Sequence, residues 1–472
     1  GRTGNCPAPF VCMTQKACHK ARMMRHAFAA AALLAAAPLA AQSTTQDDIS
    51  ARYDRALAAG YKALFLCSAI ANAERNGTTR TPESVAAWEL TGIQSPLDAV
   101  VHDLPYTIDR DSDGEIRQVV VEWAGDMPPR IAAHDSRRGC SQLPIGGAPH
   151  PIRTKRPRIN VEHGDPVEPA GALSGSVERA FGETHGNGTR TTAVLVQRGG
   201  TVLGERYAPG FGPAVPQRTW SVAKSIAATL VGAAVLEGHA QVGRSAGLGS
   251  APNDRRRTIT IDHLLRMASG RYSDTAGNRT DPLYYGGSSV AETALHWPLI
   301  HAPGSVFRYA NNDTLAAVEA VEPSFETQSP AEFFARLGMH DTVAETDWRG
   351  DYILSSQVWS TARDLARLGQ LYLDDGVLAS GERVLPEGWV QYVSSPAGPQ
   401  PEGPFGYGAG FWLLNDTPGV PADAFAAMGN RGQHIVIVPS LDLVIVRRGE
   451  DPAGQRFDIA GFARDVIASL DE

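Results

Sequence analysis

A chain of 472 residues with 43% hydrophobic and 20% charged residues is long enough for two or three globular domains. A net charge of −8 offers no electrostatic basis for nucleic-acid binding. The 13 histidines show no H-E-x-x-H spacing and there is no Gly-rich phosphate loop, so neither zinc hydrolysis nor nucleotide chemistry has a basis in the sequence.

The stretch "RMMRHAFAAAALLAAAPLAAQ" has a basic start (Arg22, Arg25), an apolar run from Ala27 to Ala37, and small residues at Ala40 and Ala41. These are the three regions of a signal peptide, too short for a membrane span. Met24 then reads as the start, with residues 1–23 as upstream sequence and residues 1–41 outside the mature fold. Export leaves Cys67 and Cys140 as the cysteines of the mature chain, since Cys6, Cys12 and Cys18 precede the leader. A pair in an oxidising compartment predicts one disulfide.

Residues 42–140 combine a helical opening, "ISARYDRALAAGYKALFLCSAI", with strand-like pieces such as "QVVVEW", and read as a small α+β module. Within it, "DRDSDGEI" (Asp109–Ile116) matches half of a calcium loop, but Val120 stands where a bidentate Glu is needed; an acidic hairpin turn fits better. Residues 141–170 carry Pro and Gly throughout, with the basic run Arg153–Arg158, and read as a solvated linker or surface-hugging arm.

From residue 171 to 472 a helix (Leu173–Phe181) is followed by "TTAVLVQRGGTVLGERY", two strands about a Gly-Gly turn. A mostly helical middle runs to about Leu373. "GQHIVIVPSLDLVIVRRG" predicts two more strands and "GFARDVIASL" a closing helix. The expected fold is α/β (α+β): one sheet assembled from both ends of this region, with the helical part packed against it.

The candidate chemistry lies in "QRTWSVAKSIAATLVGAAV". Only five lysines occur (Lys16, Lys20, Lys62, Lys155, Lys224), and Lys224 sits in an apolar helix. Unlike arginine, a desolvated lysine can lose its proton and act as a base. Ser221 lies three residues earlier, on the same face of a helix that Thr219 could cap. A base one turn away can activate a serine hydroxyl, and free N–H groups at a helix start can hold an oxyanion. In "HAPGSVFRYANNDT", Tyr309 could relay a proton and Asn311 could bind a substrate amide; an extended conformation there would alternate their directions. In "GNRGQHIVIVP", Gly429 and Gly432 let backbone approach a ligand at a strand start. The "GRSAG" around Ser245 matches a nucleophile elbow but lacks the strand-to-helix context. His263, His296 and His301 read as packing or surface residues.

S-V-A-K, Y-A-N and N-R-G-Q before a hairpin, in that order, resemble the penicillin-recognising serine hydrolases, closest to class C β-lactamase relatives that include esterases and 6-aminohexanoate-oligomer hydrolases. The landmarks "TIDHLLRMASG", "APGSVFRYAN" and "SSQVWSTARDLARLGQLYLDDG" support the likeness from Leu173 to the C-terminus. The resemblance implies a β-lactamase-like fold in which Ser221 is acylated, Lys224 activates it and Tyr309 relays protons. It places the oxyanion in the backbone N–H groups of Ser221 and Gln433, and substrate contacts at Asn311, Asn430, Arg431 and Gly432. Tyr272, Tyr284 and Tyr285, in the loop "RYSDTAGNRTDPLYYGG", are further candidate contacts. Asn430 departs from the Lys or His of β-lactam-binding members, which disfavours the rival reading of a β-lactamase or D-amino-acid peptidase. A catalytically silent binder of cell-wall fragments is the other rival. A small-molecule amide or ester substrate is implied; a cofactor, a metal, nucleic acid or a stable membrane anchor is not.

Overall fold

A computed structural model describes residues 16–149, 162–272 and 280–471, with side chains from residue 45 onward. The chain divides into two compact units, Gly1–Asp54 and Arg55–Glu472. Helix α1 spans Lys16–Arg75; the candidate leader, residues 22–41, falls where only its backbone is described. Cys6, Cys12, the basic run Arg153–Arg158 and the centre of the 271–287 loop lie outside the described residues.

In the second unit α1 is apolar on nearly every face. Leu57, Tyr61, Leu64, Phe65 and Ile70 are all buried, as expected of a core helix. By length and hydropathy Thr45–Arg75 could cross a membrane, but its most apolar window is buried within the protein. The short α2 (Pro82–Ala87) follows, capped by Thr81. An antiparallel meander of β1 (Tyr106–Arg110), β2 (Ile116–Val121), β3 (Arg130–Asp135) and β4 (Gly139–Gln142) comes next. The Asp109–Ile116 segment forms the β1–β2 turn, where Asp111 Oδ1 accepts the N–H groups of Asp113 and Glu115. The expected Cys67–Cys140 disulfide is present and joins α1 to β4. The core beneath it does not end with the module. It continues into Trp220, Tyr284, Tyr285, Leu315, Ile353 and Trp359.

Beyond the linker, α3 (Gly171–Ala180) precedes β5 (Thr191–Arg198) and β6 (Thr201–Tyr207), which turn at Gly199 and Gly200, both at positive φ. The short β7 (Gln217–Arg218) leads into α4 (Val222–Leu236). The helical middle contains α5 (Ile261–Leu265), α6 (Asp281–Tyr284), α7 (Val290–Ala294), α8 (Asn311–Glu319) and α9 (Pro330–Arg336). Strands β8 (Val343–Ala344) and β9 (Val358–Ser360) pair with β7 in a small sheet. After α10 (Ala362–Leu373) and α11 (Trp389–Val393) come β10 (Gly406–Tyr407), β11 (Trp412–Leu413), β12 (Phe425–Gly429), β13 (Gln433–Val438) and β14 (Leu443–Gly449). Helix α12 (Ile459–Leu470) closes the chain.

Pairing of β14 with β5 produces a seven-stranded antiparallel sheet, β10-β11-β12-β13-β14-β5-β6, from both ends of the region. Alternate residues of each strand serve opposite faces. Val194, Val196 and Ile445 pack with Leu173, Val177 and Phe462 of α3 and α12. Leu195, Val444 and Val446 pack with α4 and α10. The described part of the linker hugs β6: Glu205 N–H donates to the Val167 carbonyl at 2.7 Å, and His163 meets Asp341 at 2.5 Å.

Candidate active site

The backbone turns sharply between β7 and α4. Trp220 takes a left-handed φ of 49°, a conformation a bulky residue holds only when its surroundings enforce it. Its ring is held beneath the Arg218 guanidinium, 4.2 Å from the ring centre, and beside Phe65 of α1. Ser221 then occupies the N-cap position of α4. The expected Thr219 side-chain cap does not form: the Thr219 carbonyl accepts the Val222 N–H, and its buried hydroxyl has no partner among the described residues. Ser221 therefore stands at the helix mouth, two positions earlier in the helix than a Thr219 cap would place it.

Lys224, one turn on, is 2% exposed. Its Nζ lies 3.0 Å from Ser221 Oγ, 2.6 Å from Asn311 Oδ1 and 2.9 Å from the Ser355 carbonyl. All three partners are uncharged, so nothing offsets desolvation, and burial lowers the ammonium to about 7. Tyr309 is half-buried, its ring centre 5.0 Å from Lys224 Nζ and flanked by Trp412 and Tyr407. Burial pushes its phenol up, and interaction with the Ser221 hydroxyl draws it partly back. The sequence thus brings Ser221, Lys224 and Tyr309 together from two separate segments.

Asn311 is not on an extended strand but opens α8. Its Oδ1 faces Lys224 and its Nδ2 donates to Thr280 Oγ1 at 2.9 Å, so the amide orients the lysine. Among the loop tyrosines, Tyr284 lies close: its hydroxyl meets Ser355 Oγ at 2.7 Å, and burial pushes it up to about 12. Tyr285 differs from its expected role as a substrate contact. It is core, its ring tilted against that of Tyr61 with centres 4.7 Å apart, because the module covers this face. Tyr272 sits apart, against Trp297 and Arg308.

The β12–β13 turn departs furthest from expectation. Gly429 is tight against the helix mouth: a Cβ there would strike the Thr219 carbonyl and stand 3.0 Å from Ser221 N. Asn430 is exposed, and its Oδ1 accepts the Arg431 N–H. Arg431 does not offer its guanidinium to a ligand. It is buried, pairs with Glu450 at 2.5 Å, and donates to the carbonyls of Gly92, Trp88 and Thr91. Gly432, at φ 78°, leaves space for Arg447 and Asp451. Gln433 is fully buried and pairs with Gly429 across the ladder, its side chain on Gly449 and Arg448.

Sequence reading missed Ser355 and Thr280. Ser355 falls inside a quoted landmark, and the closeness of Gly429 was signalled only by its being glycine. Ser245, as its context indicated, lies in an irregular segment, its hydroxyl on the Arg257 carbonyl. His263 is a helix cap, accepting the Thr260 N–H.

A sheet of this order with a buried Ser-x-x-Lys at a helix mouth defines a class. The family profile described as Beta-lactamase matches residues 177–455, and the chain belongs to that family. A curated relative, the 6-aminohexanoate-dimer hydrolase of Paenarthrobacter ureafaciens, is 29% identical over 326 residues, spanning 60% of this chain and 79% of its own. A solved structure from Bacillus anthracis, provisionally named a 6-aminohexanoate-dimer hydrolase, superposes with a TM-score of 0.51 at 22% identity, over 60% of this chain and 79% of that one. One from Bacteroides dorei, provisionally named a beta-lactamase, gives 0.50 at 17%, over 63% and 98%. The chain is thus a beta-lactamase-fold hydrolase related to 6-aminohexanoate-dimer hydrolase.

Proposed function

We propose that the protein is an exported serine hydrolase that cleaves an amide or ester bond, of the 6-aminohexanoate-oligomer or carboxylesterase type, through an acyl-enzyme on Ser221. The observation that carries this reading is the uncompensated burial of Lys224 beside the serine. A neutral Nζ has two N–H groups and one lone pair. The N–H groups match Asn311 Oδ1 and the Ser355 carbonyl, which leaves the lone pair for the Ser221 hydroxyl.

In the reaction, Ser221 Oγ attacks the carbonyl carbon while its proton passes to Lys224. The tetrahedral oxyanion rests on the Ser221 N–H and a second backbone N–H. Gln433, which pairs with Gly429 across the ladder where Gly429 closes on the α4 mouth, is the position that sequence likeness suggests for the second. Tyr309 hands a proton to the leaving amine or alcohol as the C–N or C–O bond breaks. Water then attacks the acyl ester, giving its proton back through the same pair, and the acid departs. Tyr284 steadies Ser355 and thereby Lys224. The leader-like residues 22–41 and the Cys67–Cys140 disulfide support export.

A fluorophosphonate probe should label Ser221, with labelling lost in Ser221→Ala and Lys224→Ala. No labelling of the wild-type protein would leave a silent binder as the reading. Rates on p-nitrophenyl esters, 6-aminohexanoate dimer and nitrocefin then sort substrates, and nitrocefin turnover above ester turnover would favour a β-lactamase.

A further inference from the structure

The second oxyanion amide proposed above, that of Gln433, directly follows the β12–β13 turn of Asn430–Gly432. Arg431 adopts φ 56°, ψ 25° in the middle of it, a left-handed conformation unusual for a non-glycine residue. Inside the turn, Asn430 Oδ1 accepts the Arg431 N–H, and the Arg431 carbonyl accepts the Asp451 N–H. Arg447 Nη1 donates to the Gly432 carbonyl at 2.9 Å and Gln433 Nε2 to the Arg431 carbonyl at 3.3 Å, and the Arg431 side chain adds the restraint that reaches the N-terminal module. Its Nε pairs with Glu450, Nη1 donates to the Gly92 carbonyl at 3.1 Å, and Nη2 donates to those of Trp88 and Thr91 at 2.9 and 2.8 Å.

Those three carbonyls lie in the segment after α2, in the N-terminal module. The segment is itself fixed: the Gly92 carbonyl accepts the Ala453 N–H at 2.7 Å, Gly92 packs on Pro452, and the Arg190 guanidinium covers the Trp88 ring at 4.2 Å. The module also reaches the other wall of the site, through Phe65 against Trp220, the strained residue just before Ser221. Both amides proposed to hold the oxyanion, Ser221 and Gln433, thus stand within two positions of a left-handed residue whose side chain the module grips.

We infer that the N-terminal module is a positioning part of the hydrolase site, and that Arg431, held by Trp88–Gly92, is the positioning residue that fixes the β12–β13 turn against Ser221. The inference rests on the Ser221 acyl-enzyme reading. It assigns the module, which lies outside the matched residues 177–455, a role in turnover. A planar guanidinium reaching three carbonyls and a carboxylate is not replaceable by the single ammonium of lysine.

The test compares wild type, Arg431→Ala and Arg431→Lys for hydrolysis of p-nitrophenyl butyrate, with active sites counted by fluorophosphonate and folding followed by circular dichroism and gel filtration. For folded protein, Arg431→Ala should lose about 30-fold or more in kcat with KM changed less than about 3-fold, since a small misplacement of a catalytic group costs up to about 100-fold. Arg431→Lys should recover only part of the loss. A kcat per folded molecule equal to wild type in both variants would overturn the inference. If Arg431→Ala does not fold, the same comparison is read on Arg431→Lys. Failure of the wild type to be labelled strikes the Ser221 reading instead, so the two failures are separate.

Discussion

Lys224 is held by three neutral partners in a dry site, which costs the protein stability whenever the ammonium is charged. Turnover needs the neutral amine, so kcat/KM for an ester should rise with pH through an apparent value near 7 and fall about tenfold per unit below it. A pH–rate profile of the wild-type protein checks this. A flat profile from pH 5 to 8 would remove Lys224 as the base. The linkage to stability has the same sign. The folded value lies below the unfolded 10.5, so between about 7 and 10.5 the unfolded chain holds a proton that the folded one lacks. Stability from this residue therefore climbs with pH across that window. Lys224→Met should be inactive yet melt higher than wild type by about 2 °C or more near pH 7. That advantage should shrink toward pH 10, as thermal melts at several pH values would show. Tyr309→Phe removes the relay while keeping the ring against Trp412 and Tyr407, and should lower kcat about 100-fold with the melting temperature unchanged.

At the scale of elements, the site is the meeting of the α4 mouth, the start of α8 and the end of β12. The distance between α4 and β12 is set by the absence of one methyl group. Gly429→Ala would press a Cβ into the Thr219 carbonyl and toward Ser221 N, opening the gap between the two proposed oxyanion amides. Activity should fall about 100-fold or more, whereas Gly212→Ala, where nothing lies near the added Cβ, should leave it unchanged. Steady-state kinetics of both variants tests the claim. The α4 part of this junction was legible in the sequence because Ser221 and Lys224 are one turn apart on one helix, so spacing alone fixes their contact. The strands β5, β6, β13 and β14 were equally legible from alternation and turn residues. The β12–β13 turn was not. How Gln433 presents its amide depends on the conformation of the three-residue turn before it, and the direction of Arg431 depends on carbonyls some 340 positions earlier in the chain. Tyr285 was misread for the same reason, since only the folded module shows that its ring faces Tyr61.

For the whole molecule, the question is whether the module can be separated from the hydrolase fold. The shared core argues that it cannot, because Phe65 packs on both Trp220 and Trp359, and buried Glu345 ties the two parts together. Its Oε1 accepts the Cys140 N–H and its Oε2 accepts the Trp359 indole N–H, each at 3.0 Å. Removing residues up to 149 would uncover Trp220, Tyr284, Tyr285 and Trp359 at once, an apolar patch of a kind soluble proteins rarely expose. Such a truncation should yield insoluble protein; a soluble, active fragment would show that the module is dispensable. The disulfide acts on this arrangement more gently. It closes a loop of 73 residues, which by loop-closure entropy contributes roughly 4 kcal/mol. The paired substitution Cys67→Ala and Cys140→Ala should therefore lower the melting temperature by about 5 °C or more. It leaves the Phe65–Trp220 contact and the carbonyls that grip Arg431 in place, so kcat per folded molecule should stay within about 2-fold of wild type at 25 °C. Melting curves of the variant, with labelled active sites counted before each assay, separate those two effects: a fall in kcat without a fall in melting temperature would mean that the disulfide shapes the site directly rather than holding the module to it.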